Sequence, residues 1–194
     1  RAQELAVRDL VGELGFETVD FVEHDLGGGV GLRYAARTPD AIDKLVLSNS
    51  VAYDSWPIKT ITDLGLPETA RETSVEELQG MLDGLFRNTL FGDDHDEAFL
   101  DGMKTPWASK EGVTSVVRNV SATNTSHTTE VDPSDVTADT LLLWGTEAEF
   151  QPISWAEQLE DDIESCKLVG LEANHRVPED RTEAFTEHLT DFLL

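Results

Sequence analysis

Runs of consecutive apolar residues alternate with helical periodicity along this chain. The runs Leu45-Val46-Leu47 and Leu141-Leu142-Leu143 contain no polar position, which is typical of parallel strands that are buried on both faces. The segments between such runs carry apolar residues at intervals of three and four, as the buried face of a helix requires. This order of elements predicts an α/β protein, with a parallel sheet flanked by helices on right-handed crossovers.

Four strands and three flanking helices are predicted from this pattern. The strands are predicted at residues 19–23, 44–48, 140–144 and 167–170. The helices are predicted at residues 2–15, from the end of the first strand to about residue 37, and at residues 178–194.

The segment between the second and third strands is too long for a single crossover. Helix-like stretches occur in it at residues 74–87, 96–103 and 110–121. We therefore predict a core formed by residues 1–50 and 139–194, and a helical lid formed by residues 51–138 over the carboxyl edge of the sheet.

The most informative local pattern is the junction between the first strand and the helix after it. His24-Asp25-Leu26-Gly27-Gly28 joins them directly, and a sharp strand-to-helix turn needs glycines because the backbones approach closely. Asp25 at its apex is predicted to be exposed at the carboxyl end of the strand, in front of a helix N-terminus. Two alternatives are an ordinary helix N-cap and a dinucleotide-binding loop, although the latter would need glycine where Leu32 stands.

The residues that follow the other strands extend this pattern. Glu147-Ala148-Glu149 follows the third strand, and His175 follows the fourth. Because ligands bind outside the carboxyl ends of parallel strands, a nucleophile, an acidic loop and a histidine are predicted to meet at one edge of the sheet.

On these motifs the chain resembles the haloalkane dehalogenase and epoxide hydrolase branch of the α/β-hydrolase fold family, whose elbow reads Gly-His-Asp-x-Gly-Gly. Trp144-Gly145, Pro152 and the stretch from His175 to Asp180-Arg181 are similar to further motifs of that family. The resemblance begins at the helix before the elbow, so the family's first four strands and its His-Gly-x-Pro loop would precede Arg1. It implies an N-terminally truncated α/β-hydrolase fold in which these first strands are missing.

The resemblance also implies a two-step hydrolysis. Asp25 would attack an electrophilic carbon to form an alkyl-enzyme ester, and His175 would activate the water that hydrolyses the ester. Ala148 stands where the family has an aspartate, so Glu149 or Glu147 would orient the histidine, and Glu149 is the slightly favoured of the two.

Three further residues are implied in binding. The main-chain N–H of Leu26 would serve the oxyanion hole. His24 and Trp107 would contact the substrate, although Leu26 occupies the place of the usual halide-binding tryptophan. Glu23 departs from the small residue of the family pattern and is expected to raise the pKa of Asp25 or strain the turn.

Charge narrows the range of partners. The chain has 39 acidic residues against 14 lysines and arginines, for a net charge of −25. With no basic patch, nucleic acid and anionic membrane surfaces are excluded as partners. The composition resembles that of proteins from salt-in halophilic archaea, in which salt screens such repulsion.

Little in the chain suits redox or metal chemistry. Cys166 has no partner for an intramolecular disulfide, and no Cys/His spacing suits zinc, so we predict no cofactor and no metal. A signal peptide and a transmembrane run are both absent from the sequence, which leads us to expect a soluble cytoplasmic protein.

Three functions are compatible with these motifs and this composition. The first is a haloalkane dehalogenase-like hydrolase of a small apolar organic substrate, with an epoxide hydrolase or esterase-like enzyme as its alternative. The second is an inactive relative that binds a small apolar ligand. The third is a structural protein whose exposed sheet edge pairs with another chain.

Overall fold

The computed structural model describes residues 1–66, 68 and 72–194. Its strands are β1 (Val19–His24), β2 (Ile42–Ser48), β3 (Asp139–Gly145) and β4 (Cys166–Leu171). They lie in the order β1-β2-β3-β4, and each neighbouring pair is parallel. The predicted parallel sheet is therefore confirmed, and each strand is one or two residues longer than predicted.

Helices flank the sheet and fill the interval between β2 and β3. The flanking helices are α1 (Ala2–Leu14), α2 (Leu26–Arg37), α8 (Ile153–Asp162), α9 (Val177–Asp180) and α10 (Thr182–Leu193). The interval holds α3 (Lys59–Leu64), α4 (Val75–Arg87), α5 (Glu97–Lys104), α6 (Lys110–Ser121) and α7 (Ser126–Thr129). Single 3₁₀ turns lie at Pro39–Ala41, Thr105–Trp107 and Pro133–Asp135.

The central strands are buried on both faces, as their apolar runs predict. Leu45 and Leu47 of β2 join a cluster with α2 and α8, whereas Val46 joins a cluster with α9 and α10. Side chains alternate between the faces of a strand, so an unbroken apolar run supplies both clusters at once.

The helices between β2 and β3, here called the helical segment (residues 59–129), have an apolar cluster of their own. Leu78, Leu82 and Leu100 are buried in it, and α4 begins at a capping box in which Ser74 and Glu77 exchange hydrogen bonds. Residues 67 and 69–71 of the predicted lid lie outside the described residues. No helix in the described part of the chain is long and apolar enough to span a membrane.

Two helix predictions need correction. The single C-terminal helix expected at residues 178–194 is wrong, because Arg181 adopts φ −139° and ψ 52° and separates α9 from α10. Helix α8, which completes the crossover from β3 to β4, was not predicted. Only Ala156 and Leu159 of α8 are fully buried, and so narrow an apolar stripe gives a weak periodic signal.

Strand β1 lies at one edge of the described sheet. Val22 is 46% exposed, Leu26 at the start of α2 is 43% exposed, and Phe16 before β1 is 57% exposed. Strand β1 and the residues at both of its ends therefore expose apolar side chains.

A buried ion pair fastens α1 to α2. The Arg33 guanidinium is 2% exposed and donates to the Glu4 carboxylate at 2.9 Å and to the His127 carbonyl at 2.7 Å. Arg33 also pairs with Glu130 at the end of α7. One side chain thus joins the N-terminal helix, the elbow helix and the helical segment.

Replacing Arg33 with methionine is expected to lower the free energy of unfolding by about 3 kcal/mol, because the buried Glu4 would lose its hydrogen-bonded partner and keep only Arg37, at 3.9 Å. Urea unfolding followed by circular dichroism measures the change. The matched control is Arg8→Met, which removes the same charge from an exposed pair with Asp9 and is expected to cost no more than about 1 kcal/mol. Equal losses in the two variants would contradict a structural role for the buried pair.

Candidate active site

Asp25 lies in a strained turn between β1 and α2. Its φ of 51° and ψ of −120° are sparsely populated by residues other than glycine, and its side chain does not cap α2. Its N–H donates to the Ser48 carbonyl at 3.3 Å, and its own carbonyl accepts from Val51 at 3.1 Å. The turn is therefore held by the last residue of β2 and by the segment that follows it.

Close packing explains the glycines after Asp25. A Cβ at Gly28 would lie 1.9 Å from Ser50 Oγ, and one at Gly29 would lie 2.6 Å from a methyl group of Val51. Larger residues would push α2 away from the segment after β2 and open the turn.

His175 meets Asp25 at the carboxyl edge of the sheet. Its Nε2 lies 3.8 Å from Asp25 Oδ1, and the histidine is 4% exposed while the Asp25 side chain is 37% exposed. Nδ1 lies 3.2 Å from the Phe150 carbonyl oxygen. A carbonyl can only accept, so the proton resides on Nδ1 and the lone pair of Nε2 faces Asp25.

Among the described residues, no hydrogen bond or ion pair joins His175 to either of the two glutamates predicted to orient it. Glu147 and Glu149 are exposed, and Glu147 accepts a hydrogen bond from Thr146. The position of the expected aspartate, Ala148, is buried. The main-chain carbonyl of Phe150 takes this place, and sequence reasoning missed it because a carbonyl leaves no side-chain signature.

The Phe150 carbonyl is held by its neighbour. The Gln151 carbonyl accepts from the Trp144 indole at 2.7 Å and from the Asn49 amide at 3.2 Å. The Asn49 Oδ1 atom also accepts from the Gly145 N–H at 2.8 Å. These bonds join the ends of β2 and β3 to the loop that carries Phe150.

The loop of His175 is fastened to the helical segment. The Asp180 carboxylate accepts from the N–H groups of Asn174 at 2.8 Å and Phe91 at 3.0 Å. The Asn174 amide donates to the Asn88 and Leu90 carbonyls, both at 3.0 Å. The turn that follows α4 therefore sets the position of the histidine loop.

Solved structures share this architecture, although no protein-family model matches the sequence. An α/β-hydrolase fold protein of Burkholderia ambifaria has a TM-score of 0.86 and 20% identity, over 97% of this chain and 71% of that one. A serine hydrolase of Cycloclasticus zankles has a TM-score of 0.68 and 22% identity, over 95% of this chain and 66% of that one. This chain has the α/β-hydrolase fold.

Curated proteins with sequence similarity are named as hydrolases. An uncharacterised hydrolase of Bacillus subtilis, YugF, is 24% identical over 89% of this chain and 64% of its own length. Epoxide hydrolase 1 of Caenorhabditis elegans is 25% identical over 96% of this chain and 50% of its own. A 2-hydroxy-6-oxononadienedioate/2-hydroxy-6-oxononatrienedioate hydrolase of Cupriavidus pinatubonensis is 26% identical over 96% and 66%. The chain spans between half and two thirds of these relatives.

Within the α/β-hydrolase fold, His24 packs against His175. The two ring centroids are 4.7 Å apart, and Nδ1 of His24 donates to the Ser48 carbonyl at 2.9 Å. Its Nε2 is buried with no hydrogen-bond partner among the described residues. His24 therefore forms one wall of the site beside the nucleophile position.

Burial keeps both imidazoles neutral. It lowers the pKa of His175 to about 4, and the nearby Arg176 charge adds to this effect. Burial and the His175 charge lower the pKa of His24 to about 4. Burial raises the pKa of Asp25, whereas His24, Arg176 and the Leu26 N–H lower it. The net effect on Asp25 is a raised pKa, with burial as the largest cause, and the group faces an unprotonated imidazole.

Glu23 does not perturb Asp25 as expected. Its carboxyl group packs over Gly31 of α2, where an added Cβ would lie 1.5 Å from Oε2, and it is absent from the groups that shift the pKa of Asp25. Burial raises the pKa of Glu23 itself to about 8, although a main-chain hydrogen bond from Gly31 opposes the rise. Residues two apart on a regular strand share a face, so the two carboxyl groups are separated by the turn at Asp25, whose φ of 51° departs from the strand conformation.

Trp107 lies in the apolar cluster of the helical segment, and its main chain closes against Gly112. It therefore packs the helices, and no contact of the described structure joins it to Asp25 or His175.

The acidic turn around His95 lines a surface cavity of about 410 Å³ with Phe91 and Arg181. Among the described residues, no three histidine, cysteine or acidic side chains form a metal-binding group.

The Glu23→Gln variant is expected to be more stable than the parent at pH 8, by about 1–3 kcal/mol, and equally stable at pH 4. Below pH 4.5 the carboxyl is neutral in both the folded and unfolded states. As pH rises toward about 8, the unfolded state ionises while the folded state keeps its proton, so stability is lost. Urea unfolding of both proteins at several pH values measures this difference, and a difference independent of pH would contradict it.

Proposed function

We propose that this chain is the catalytic part of a hydrolase in which Asp25 is the nucleophile and His175 is the general base. The observation that carries the proposal is the strained turn at Asp25, with Nε2 of His175 3.8 Å from its carboxylate. Hydrolase names among the curated relatives support it. A carboxylate needs no deprotonation at neutral pH, so this nucleophile suits attack on an sp³ carbon.

In the first step an Asp25 oxygen forms a bond to the electrophilic carbon as the bond to the leaving group breaks. The leaving group departs with the bonding electron pair, and the product is an alkyl ester of Asp25. This step transfers no proton when the leaving group is a halide.

In the second step His175 removes a proton from water as the water oxygen attacks the ester carbonyl carbon of Asp25. The N–H of Leu26 stabilises the oxyanion that forms on the ester. The tetrahedral intermediate then collapses, and His175 gives the proton that it took from water to the departing alkoxide. The alcohol is released with that proton, and the carboxylic acid left on Asp25 loses its own proton to His175 and then to solvent, which restores the carboxylate.

A halide is favoured over an epoxide as the leaving group. Epoxide opening needs an acid to protonate the ring oxygen, and tyrosine is one such donor. Tyr34 is buried in the core and stacks on Phe21, whereas the Tyr53 hydroxyl donates to Asp162 at 2.6 Å. Neither tyrosine is free to act at Asp25.

The helical segment is proposed to act as a lid. Its turn at residues 88–91 holds the histidine loop through Asn174 and Asp180, so it adjoins the reacting groups. Such a cover would exclude bulk water and select the substrate.

The second candidate function is binding of a small apolar ligand without turnover. It is favoured because, in the part of the chain that the structure describes, Nδ1 of His175 meets the Phe150 carbonyl and no carboxylate, and a carbonyl cannot neutralise an imidazolium ion as aspartate does. It predicts that ligand raises the thermal midpoint of the chain without release of product.

The Asp25→Asn variant is expected to lose at least about 10³-fold in bromide release from 6-bromohexan-1-ol, because its amide is a poor nucleophile. Ion chromatography measures bromide, and circular dichroism checks that the fold is retained. Asp40→Asn, at an exposed aspartate, removes the same charge and is expected to leave the rate unchanged. An active Asp25→Asn variant would overturn the proposal.

The His175→Gln variant is expected to accumulate the ester, because its first step is intact and its second step lacks a base. Mass spectrometry of the peptide containing Asp25 should show the added alkyl group after incubation with 6-bromohexan-1-ol. Glu147→Gln and Glu149→Gln are expected to accumulate no ester. Accumulation in either glutamate variant would return the orienting role to that residue.

A further inference from the structure

Arg176 occupies a distinct position beside the candidate active site. It follows His175 and precedes α9, and its main-chain N–H and Nε donate to the Thr89 carbonyl at 3.1 Å and hydroxyl at 2.8 Å. Its guanidinium lies 5.4 Å from the Phe86 ring centroid and 5.9 Å from that of Phe99. These contacts hold the side chain between the edge of the sheet and the helical segment.

The terminal nitrogens of Arg176 are unused. Within residues 1–66, 68 and 72–194 they make no hydrogen bond, and no carboxylate oxygen lies within 4 Å of them. These nitrogens are not fully buried, so they are accessible to a ligand or to solvent. By contrast, Arg87 gives both its terminal nitrogens to Asp83 and Glu97. An arginine without an ion pair is notable in a chain of net charge −25.

The charge of Arg176 influences the pKa values of the two reacting groups. Arg176 follows His175, whose Nε2 lies 3.8 Å from Asp25 Oδ1, and its charge lowers the pKa of both groups. Burial lowers the pKa of Arg176 itself, but an arginine keeps its charge throughout the physiological range. The site therefore combines a fixed cation and two aromatic rings with the nucleophile.

We propose that Arg176 binds a carboxylate of the substrate, which would make the substrate an organic acid that carries its electrophilic carbon on an apolar chain. The planar guanidinium offers two parallel N–H donors that match the two oxygens of a carboxylate. The Phe86 and Phe99 rings beside it would contact the alkyl chain. This assignment rests on the proposed function, because it names the substrate class of that site.

The test compares two substrates that differ only at the far end, 6-bromohexanoate and 6-bromohexan-1-ol. The parent chain is expected to have the higher kcat/KM for the acid. Arg176→Gln should lower the ratio of kcat/KM for the acid to kcat/KM for the alcohol by about 10-fold to 100-fold, chiefly through KM of the acid, because loss of the charge beside Asp25 and His175 affects the two substrates alike. Arg176→Lys keeps the charge without the paired donors and should fall between them.

Arg181→Gln is the matched control. Arg181 also lies over an aromatic ring, with its guanidinium 4.7 Å from the Phe91 centroid, but it pairs with Glu172 on the surface. It is expected to leave the ratio of the two substrates unchanged. Urea unfolding of every variant confirms that the compared proteins are folded.

Equal losses for both substrates in Arg176→Gln would overturn the proposal, because they would mean that Arg176 stabilises the departing bromide or the fold. An unchanged ratio would overturn it as well. If neither substrate releases bromide, calorimetric titration with hexanoate and with hexan-1-ol decides independently of the reaction. Hexanoate binding that is lost in Arg176→Gln would support the carboxylate site although the proposed function had failed, and absence of binding to the parent would overturn it.

Discussion

The side chain of Asn49 joins the ends of the two central strands, and the geometry of the site depends on this connection. At the carboxyl end of a strand the main chain loses its neighbours, and buried polar groups there must find other partners. The side-chain oxygen of Asn49 accepts from the Gly145 N–H, and its side-chain NH2 donates to the Gln151 carbonyl. These bonds hold the loop in which the Phe150 carbonyl faces His175. The same close packing leaves no space for a Cβ at Gly145, where it would lie 2.0 Å from the Asn174 carbonyl. The hydrogen bonds that satisfy the polar groups at the strand ends therefore also fix the carbonyl that orients His175.

Electrostatics in this region differ from those of the chain as a whole. Most acidic residues are spread over the surface, where salt screens them, but the site itself combines one aspartate with two neutral imidazoles and one guanidinium. Burial suppresses protonation of His24 and His175, so their lone pairs persist well below the usual pKa of histidine. Arg176 supports the ionised form of Asp25 at the same time. The acidic composition predicts that salt stabilises the folded chain. This stays a prediction, because it concerns the stability of the whole chain and not the arrangement of the site.

Sequence patterns predicted most of the fold and the residues at its edge. Unbroken apolar runs identify strands buried on both faces, and the glycines after Asp25 identify the sharp turn, since both express local steric rules. Three features escaped prediction for physical reasons. Helix α8 buries too narrow a stripe to show its period, the break at Arg181 carries no glycine or proline signal, and the acceptor for His175 belongs to the main chain. The orientation of the Glu23 side chain could not be predicted from the sequence either, because it depends on the space above Gly31.

The use of the Phe150 carbonyl in place of a carboxylate has a genetic consequence. Every amino acid carries the same main-chain oxygen, so a codon change at position 150 alters the side chain and leaves the acceptor in place. An orienting aspartate would be lost through a single base change, whereas this acceptor is removed only when the loop itself moves. The orientation of the His175 ring therefore does not depend on the side chain at position 148, where Ala148 is buried, although a carbonyl supplies no charge to offset an imidazolium ion.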